Sequence, residues 1–338
     1  MNTIKSTPLS SLLIGHKWNR SDAAIRRMLA IRIALCTTIC CIVTVSTFAK
    51  TSFINSRKQI MANDSIKSGF APINGLKLYY EIHGSDSTNG VPLILLHGGV
   101  GGSVMFSPIL AQLAKGRQVI TVDLQSHGKT ADIDRPLRYE LMADDIASLL
   151  QFLDLKSADV LGYSLGGGVA VRLAIQHPEE VRKLILVSTA VKHDGFYPEV
   201  RTAFSQMSSQ AAMFGAGMKQ SPLNAIYPNV DWTLLFTKLG DLVKRDYDWS
   251  KEAGAIKAPT LLIYADADAI MPSSIVEFYG LLGGGHKDAG LDGSGRSQNQ
   301  LAILPGYTHY TILSSPALVP AVEGFLDASG TANTQAIK

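Results

Sequence analysis

Past Cys41 this 338-residue chain has no cysteine. Its three thiols, Cys36, Cys40 and Cys41, all lie in one apolar run near the start. The rest of the chain therefore has no thiol nucleophile, no thiolate metal site and no structural disulfide. Charge is also scarce. Only 17% of residues are charged, the formal net charge is +3, and no stretch interleaves basic with aromatic residues, which argues against a nucleic-acid partner. No H-E-x-x-H and no Glu/His cluster at ligand spacing occurs, so no metal is expected. The glycine run Gly98–Gly102 lacks both the G-x-G-x-x-G spacing and a following Lys-Ser/Thr pair, so no nucleotide or other cofactor is expected. No internal repeat is visible.

What the chain has is apolar residue, 46% of the total, enough for one large core or two smaller ones. Arg26, Arg27 and Arg32 lead into or interrupt an apolar run from Ile33 to Phe48, ending Thr47-Phe48-Ala49. That pattern reads residues 1–49 as a signal peptide cleaved after Ala49, or as an uncleaved membrane anchor, with Met28 as an alternative translation start. Either way the protein is expected to be exported, periplasmic or secreted, touching a membrane only through this segment. Residues 50–68 are polar and without period, a flexible linker, and 329–338 read as a disordered tail.

From residue 69 the chain alternates strands and helices. Gly75–Ile82 alternates as a half-buried strand, and Val91–Leu96, Val119–Asp123, Ala158–Leu161 and Leu184–Ser188 are apolar runs covered on both faces. Helical spacing falls between them, most clearly in Met142, Ile146, Leu149, Leu150 and Leu153. This predicts an α/β fold with a mostly parallel, doubly wound sheet. Over 191–254 the alternation stops, and Met- and aromatic-rich short helices predict a lid over the C-terminal strand ends. Two more strands, Thr260–Tyr264 and Leu301–Leu304, then complete the sheet, so the core comprises 69–190 and 255–328. The glycine-rich stretch 283–300 reads as an exposed loop, inert or rimming the site.

One stretch carries chemistry. Gly162-Tyr163-Ser164-Leu165-Gly166 follows a short strand and opens a helical pattern, which is G-x-S-x-G in the strand–turn–helix context it requires. The turn thrusts a serine hydroxyl off the sheet end, and the helix aims free N–H groups at the same place. Ser164 is the expected nucleophile. It needs a base within hydrogen-bond reach, and that base needs a carboxylate to hold its tautomer.

Together, these motifs resemble the α/β-hydrolase superfamily from about Gly69 to Leu326. The resemblance implies His309, in Pro305-Gly306-Tyr307-Thr308-His309, as the base. It implies Asp268 as the acid, with Ala265 where glycine is usual and Asp266 as the local competitor. The oxyanion donors implied are the amides of Leu165 and Gly99, with Val100 as fallback. His97, His127 and His177 then have positional rather than catalytic roles. Asp123–Thr130 resembles the superfamily's Asp-x-x-Gly-x-Gly-x-Ser turn, with Ser126 where glycine is usual. The activity implied is cofactor-free hydrolysis of a small-molecule carboxylic ester or lactone, apolar in character. Carbon–carbon bond hydrolysis, perhydrolysis, or a non-catalytic ligand-binding role on the same fold are the alternatives. Oligomeric state is not legible in the residues.

Overall fold

The computed structural model describes residues 66–84 and 90–328. The leader 1–49, the linker up to residue 65 and the tail 329–338 lie outside the described residues. Among the described residues no helix is long and apolar enough to cross a membrane.

Eight strands form one sheet: β1 Lys67–Ile73, β2 Leu76–His83, β3 Leu93–Leu96, β4 Val119–Val122, β5 Ala158–Tyr163, β6 Val181–Val187, β7 Thr260–Ala267 and β8 Gln300–Thr308. Their spatial order is β1-β2-β4-β3-β5-β6-β7-β8. β1 pairs antiparallel with β2, and β2 with β4, while β3 to β8 run parallel. The strands β3, β4 and β5 are buried throughout, which is why their sequences are largely apolar rather than alternating, with Thr121 and the Arg182-paired Asp159 as the polar exceptions. β1 is the strand the pattern does not announce. Lys67-Ser68-Gly69-Phe70-Ala71-Pro72-Ile73 is an outer strand, so polar residues, glycine and proline are tolerated. It takes over the last two residues assigned to the linker, Lys67 and Ser68, which pair with Ile82 and Glu81. Its signal was the turn: Asn74 and Gly75 both take positive φ, 49° and 84°, as a two-residue hairpin demands.

Helices cover both faces. On one, α1 (Ser107–Leu113) and α10 (Leu318–Asp327) bury Ile109, Leu113, Val322 and Phe325 against Leu93, Leu161, Ile185 and Ile263. On the other, α2 (Tyr139–Phe152) packs on α3 (Leu165–Gln176), which lies along β5 and β6. Because strand side chains alternate, Ile94, Val160, Leu184 and Leu262 point to this second face and are wholly buried.

Between β6 and β7 stands a helical insert: α4 Pro198–Met207, α5 Ala211–Lys219, α6 Pro222–Ile226, α7 Trp232–Val243 and α8 Ser250–Ala253. Local chemistry starts these helices. Ser221 accepts a hydrogen bond from Asn224 N ahead of Pro222, and Asp231 accepts one from Leu234 N. After β7, α9 (Pro272–Leu281) leads into the glycine-rich loop. That loop enters β8 at its N-terminal end, opposite the sheet edge at which β5 delivers Ser164. It therefore does not rim that site, and it borders instead a separate open cavity of about 530 Å³.

Candidate active site

The chain leaves β3 toward β4 on one side and later returns to β5 on the other. The crevice this reversal opens, beyond the C-terminal ends of β3 and β5, is where open α/β sheets bind ligands. Two segments meet there: His97–Phe106 after β3, and the turn from Tyr163 into α3.

Ser164 sits on that turn with φ 52° and ψ −113°, a strained conformation for a residue with a Cβ. Several bonds hold it. Ser164 N donates to Val187 O at 2.9 Å, and Gly166 N donates to His97 O at 3.0 Å, tying the turn to β6 and to the neighbouring loop. The close approach is why position 166 is glycine. A Cβ there would lie 2.1 Å from Leu96 O.

His309 follows β8 in chain order and is 7% exposed. Its Nε2 lies 2.9 Å from Ser164 Oγ, and its Nδ1 lies 2.8 Å from Asp268 Oδ1. The backbone of His309 is anchored as well, since Tyr163 Oη donates to its carbonyl at 2.7 Å. The structure thus brings the three side chains singled out in the sequence into one hydrogen-bonded line.

Asp268 lies just past β7 and is nearly buried. Burial alone would push its carboxyl up, but the hydrogen bond and charge of His309, followed by Ser188 and the Ala265 amide, outweigh it and hold the pKa below the usual carboxylate range. Ser188 Oγ donates to Oδ2 at 2.6 Å, Ala265 N to Oδ2 at 3.1 Å and Ala269 N to Oδ1 at 2.8 Å. An ionised Asp268 accepting from Nδ1–H leaves Nε2 as the acceptor for the serine proton. Its competitor, Asp266, is exposed and faces away: its Oδ1 accepts from Gly306 N at 2.9 Å and Tyr307 N at 3.3 Å, supporting the chain on its way to His309. Ser188 was not legible in the sequence. Its only outward mark is the end of a buried strand, and only the structure reveals its φ of 53°.

The other histidines have different work. His97 is fully buried, and burial pushes its pKa down to about 4, with only a partial counter-effect from the Gly98 carbonyl. Leu124 N donates to its Nε2 at 3.0 Å, so the proton is on Nδ1, which donates to Gly98 O at 2.7 Å. This matters for the neighbouring amide. With the Gly98 carbonyl pulled toward His97, the same peptide plane turns the Gly99 N–H the opposite way. His127 is also buried neutral, its pKa pushed to about 3 by burial and by His97. His177 Nε2 pairs with Asp144 Oδ1 at 2.8 Å, far from the serine in the fold.

Asp123 organises the floor beneath this loop. Its Oδ1 accepts from Ser103 N at 2.7 Å and Ser103 Oγ at 2.6 Å, and its Oδ2 accepts from Lys129 N at 2.8 Å. Ser126, in the turn it anchors, takes φ 68°, which is the physical reason glycine suits that position better.

In front of Ser164 and His309 is a cavity of about 120 Å³, lined by Gly98–Gly101, Met105, Tyr163, Leu223 and Tyr310. None of these lining residues carries a fixed charge. Gly99 borders the cavity, and Leu165 opens α3, so its amide is a free-end helical N–H beside Ser164. Among the described residues no group of three or more His, Cys, Asp or Glu side chains is arranged to hold a metal ion.

Comparison with known proteins agrees with this geometry. The sequence model of the alpha/beta hydrolase fold family matches residues 91–231. The AB hydrolase superfamily protein YisY of Bacillus subtilis is 32% identical over 213 residues, 55% of this chain and 78% of that protein. The 2-hydroxymuconate semialdehyde hydrolase of Pseudomonas sp. (strain CF600) is 37% identical over 109 residues, 31% of this chain and 38% of that protein. Among solved structures, the enol-lactonase from Burkholderia xenovorans LB400 superposes with a TM-score of 0.62 at 22% identity, covering 77% of this chain and 100% of that one. A serine on a strand–turn–helix, an eight-stranded sheet of this order and a relative matched over most of its length all lead to the same place: the chain belongs to the α/β-hydrolase superfamily and is a hydrolase of that fold.

Proposed function

We propose that the protein hydrolyses a small, uncharged carboxylic ester or lactone through an acyl-enzyme on Ser164. The observation that carries this reading is the line from Ser164 Oγ through His309 to Asp268, opening on an apolar cavity without a fixed charge. In this reading Ser164 Oγ attacks the ester carbonyl carbon while His309 Nε2 takes its proton. Asp268 stabilises the imidazolium so formed. The carbonyl oxygen gains a negative charge, which the Gly99 and Leu165 amides stabilise by donating hydrogen bonds to it. One such donor is commonly worth about 10²–10³ in rate. The carbon–oxygen bond to the leaving alcohol then breaks, and the alcohol departs with the proton from Nε2. Water, deprotonated by the same nitrogen, attacks the acyl-enzyme, releasing the acid and restoring Ser164.

The cavity bounds the acyl group. An apolar cavity of about 150 Å³ accommodates benzene, so one of this size suits an acyl chain of about five heavy atoms. Carbon–carbon bond hydrolysis is the second reading, favoured by the similarity to the semialdehyde hydrolase. The same three side chains serve it, but a charged substrate would meet no cation among the described lining residues. The apolar leader supports export as the setting for either activity.

Turnover of p-nitrophenyl esters of increasing chain length, with a fluorophosphonate serine probe and a Ser164→Ala control, tests the reading. The expected result is labelling and short-chain turnover that the control lacks. Folded wild-type protein that is neither labelled nor active overturns it.

A further inference from the structure

The run His97-Gly98-Gly99-Val100-Gly101-Gly102 holds more glycine than one oxyanion donor requires. The surplus has a steric explanation in the helical insert. A Cβ on Gly99 would stand 3.1 Å from Leu239 Cδ2, and one on Gly102 would stand 2.7 Å from Tyr227 Oη and 2.8 Å from Tyr227 Cζ. Leu239 belongs to α7, and Tyr227 directly follows α6. Tyr227 does more than fill space. It is buried, and its hydroxyl accepts a hydrogen bond from the buried Val104 N at 3.2 Å.

This loop needs holding. Val100 has φ 60°, a region that β-branched residues avoid, and such a conformation persists only where the surroundings over-determine it. The core grips one side through Asp123 on Ser103 and His97 on Gly98. The insert grips the other through Tyr227 and Leu239. The insert is itself pinned beside that grip. Lys238 Nζ donates to Asp132, to Ile133 O at 2.8 Å and to Arg135 O at 2.9 Å, one residue before Leu239. Trp232 Nε1 donates to Asn224 Oδ1 at 2.7 Å, locking α7 to α6.

We propose that the insert is a fixed clamp on the oxyanion loop as well as a cover, with Tyr227 as the positioning residue for the Gly99 amide. The proposal rests on the hydrolase reading above. Tyr227 touches no reacting atom. It acts through the Val104 amide and the backbone of 99–104. Without its hydroxyl, Val104 N is buried with no acceptor, and the loop relaxes to recover one. A displaced donor weakens transition-state stabilisation while leaving ground-state binding unchanged, so kcat falls and KM does not.

The test is Tyr227→Phe in the full-length chain, which keeps the ring and removes only the hydroxyl. We expect kcat on a short p-nitrophenyl ester to fall 10- to 100-fold with KM within twofold. Hydrogen exchange in the peptide spanning 98–106 should become at least fivefold faster. A purely structural role would lower the melting temperature and leave kcat per folded molecule intact. The proposal is overturned by kcat within twofold of wild type, or by unchanged exchange in that peptide. If Tyr227→Phe does not fold, Leu239→Ala carries the same two readouts. Failure of the hydrolase reading looks different: wild type would itself be unlabelled by the fluorophosphonate and inactive. The exchange measurement then decides for the clamp if exchange is faster and against it if unchanged.

Discussion

Asp268→Asn removes one negative charge and replaces one acceptor oxygen with a donor, and the two effects separate cleanly here. In the wild type, four donors converge on the carboxylate: His309 Nδ1 and Ala269 N on Oδ1, Ser188 Oγ and Ala265 N on Oδ2. The asparagine amide settles with its oxygen toward His309. In that orientation only the Ala265 N–H faces another donor, because the Ser188 hydroxyl can rotate and accept. The imidazole then keeps its tautomer, and the main loss is electrostatic. A carboxylate whose charge centre is about 4 Å from the imidazolium contributes about 4 kcal/mol at an effective dielectric constant near 20. That is close to three orders of magnitude in rate. The expected result is kcat down about 10³-fold with KM little changed, since substrate binding precedes formation of the imidazolium. The control is Asp266→Asn. Asparagine retains the one oxygen that accepts from Gly306 N and Tyr307 N, so its activity should stay within twofold. Steady-state kinetics on one short-chain ester, with circular dichroism to confirm folding, measures both. A loss below tenfold for Asp268→Asn, or a larger loss for Asp266→Asn, refutes the reasoning.

Ser188→Ala removes the 2.6 Å bond to Asp268 Oδ2 but leaves the charge, so kcat should fall about fivefold, in keeping with about 1 kcal/mol for one hydrogen bond. Activity equal to wild type would show that the backbone amides suffice to orient the carboxylate. Met105→Ala should shift the ester preference toward longer acyl chains, because the Met105 thioether forms part of the cavity wall. An unchanged chain-length profile would put the acyl group elsewhere. Acid should destabilise the fold below pH 6.5. His97 and His127 are held neutral by burial with pKa values of about 4 and about 3. Unfolded, both gain protons near 6.5, so their contribution is complete above that pH and is lost as pH falls toward 4. His97 alone then accounts for roughly 3 kcal/mol across that window. Urea midpoints at pH 7, 5.5 and 4.5 measure the loss, and a flat profile would contradict it.

Much of this molecule was legible because its signals are local. A strand buried on both faces must be largely apolar, so β3 to β6 announce themselves in sequence. A serine on a sharp strand-to-helix turn needs small neighbours, so Gly162 and Gly166 mark it. What lay hidden was whatever is defined by a partner rather than by a residue's own run. β1 carries no apolar rhythm, since it is defined by pairing to β2 and only its Asn74-Gly75 turn gives it away.

By itself, then, the sequence determined the layered α/β architecture, the position of the strained serine and the chain order in which Ser164, Asp268 and His309 appear. Only the tertiary structure separates two aspartates two residues apart. The choice turns on where the chain bends after β7, which swings Asp268 inward to His309 and leaves Asp266 on the outside. It likewise placed Ser188 against Asp268, and Tyr227 and Leu239 against the glycine loop. A hydrogen bond or a steric contact is a relation between two places in space, and nothing in either residue's own neighbourhood in the chain encodes it.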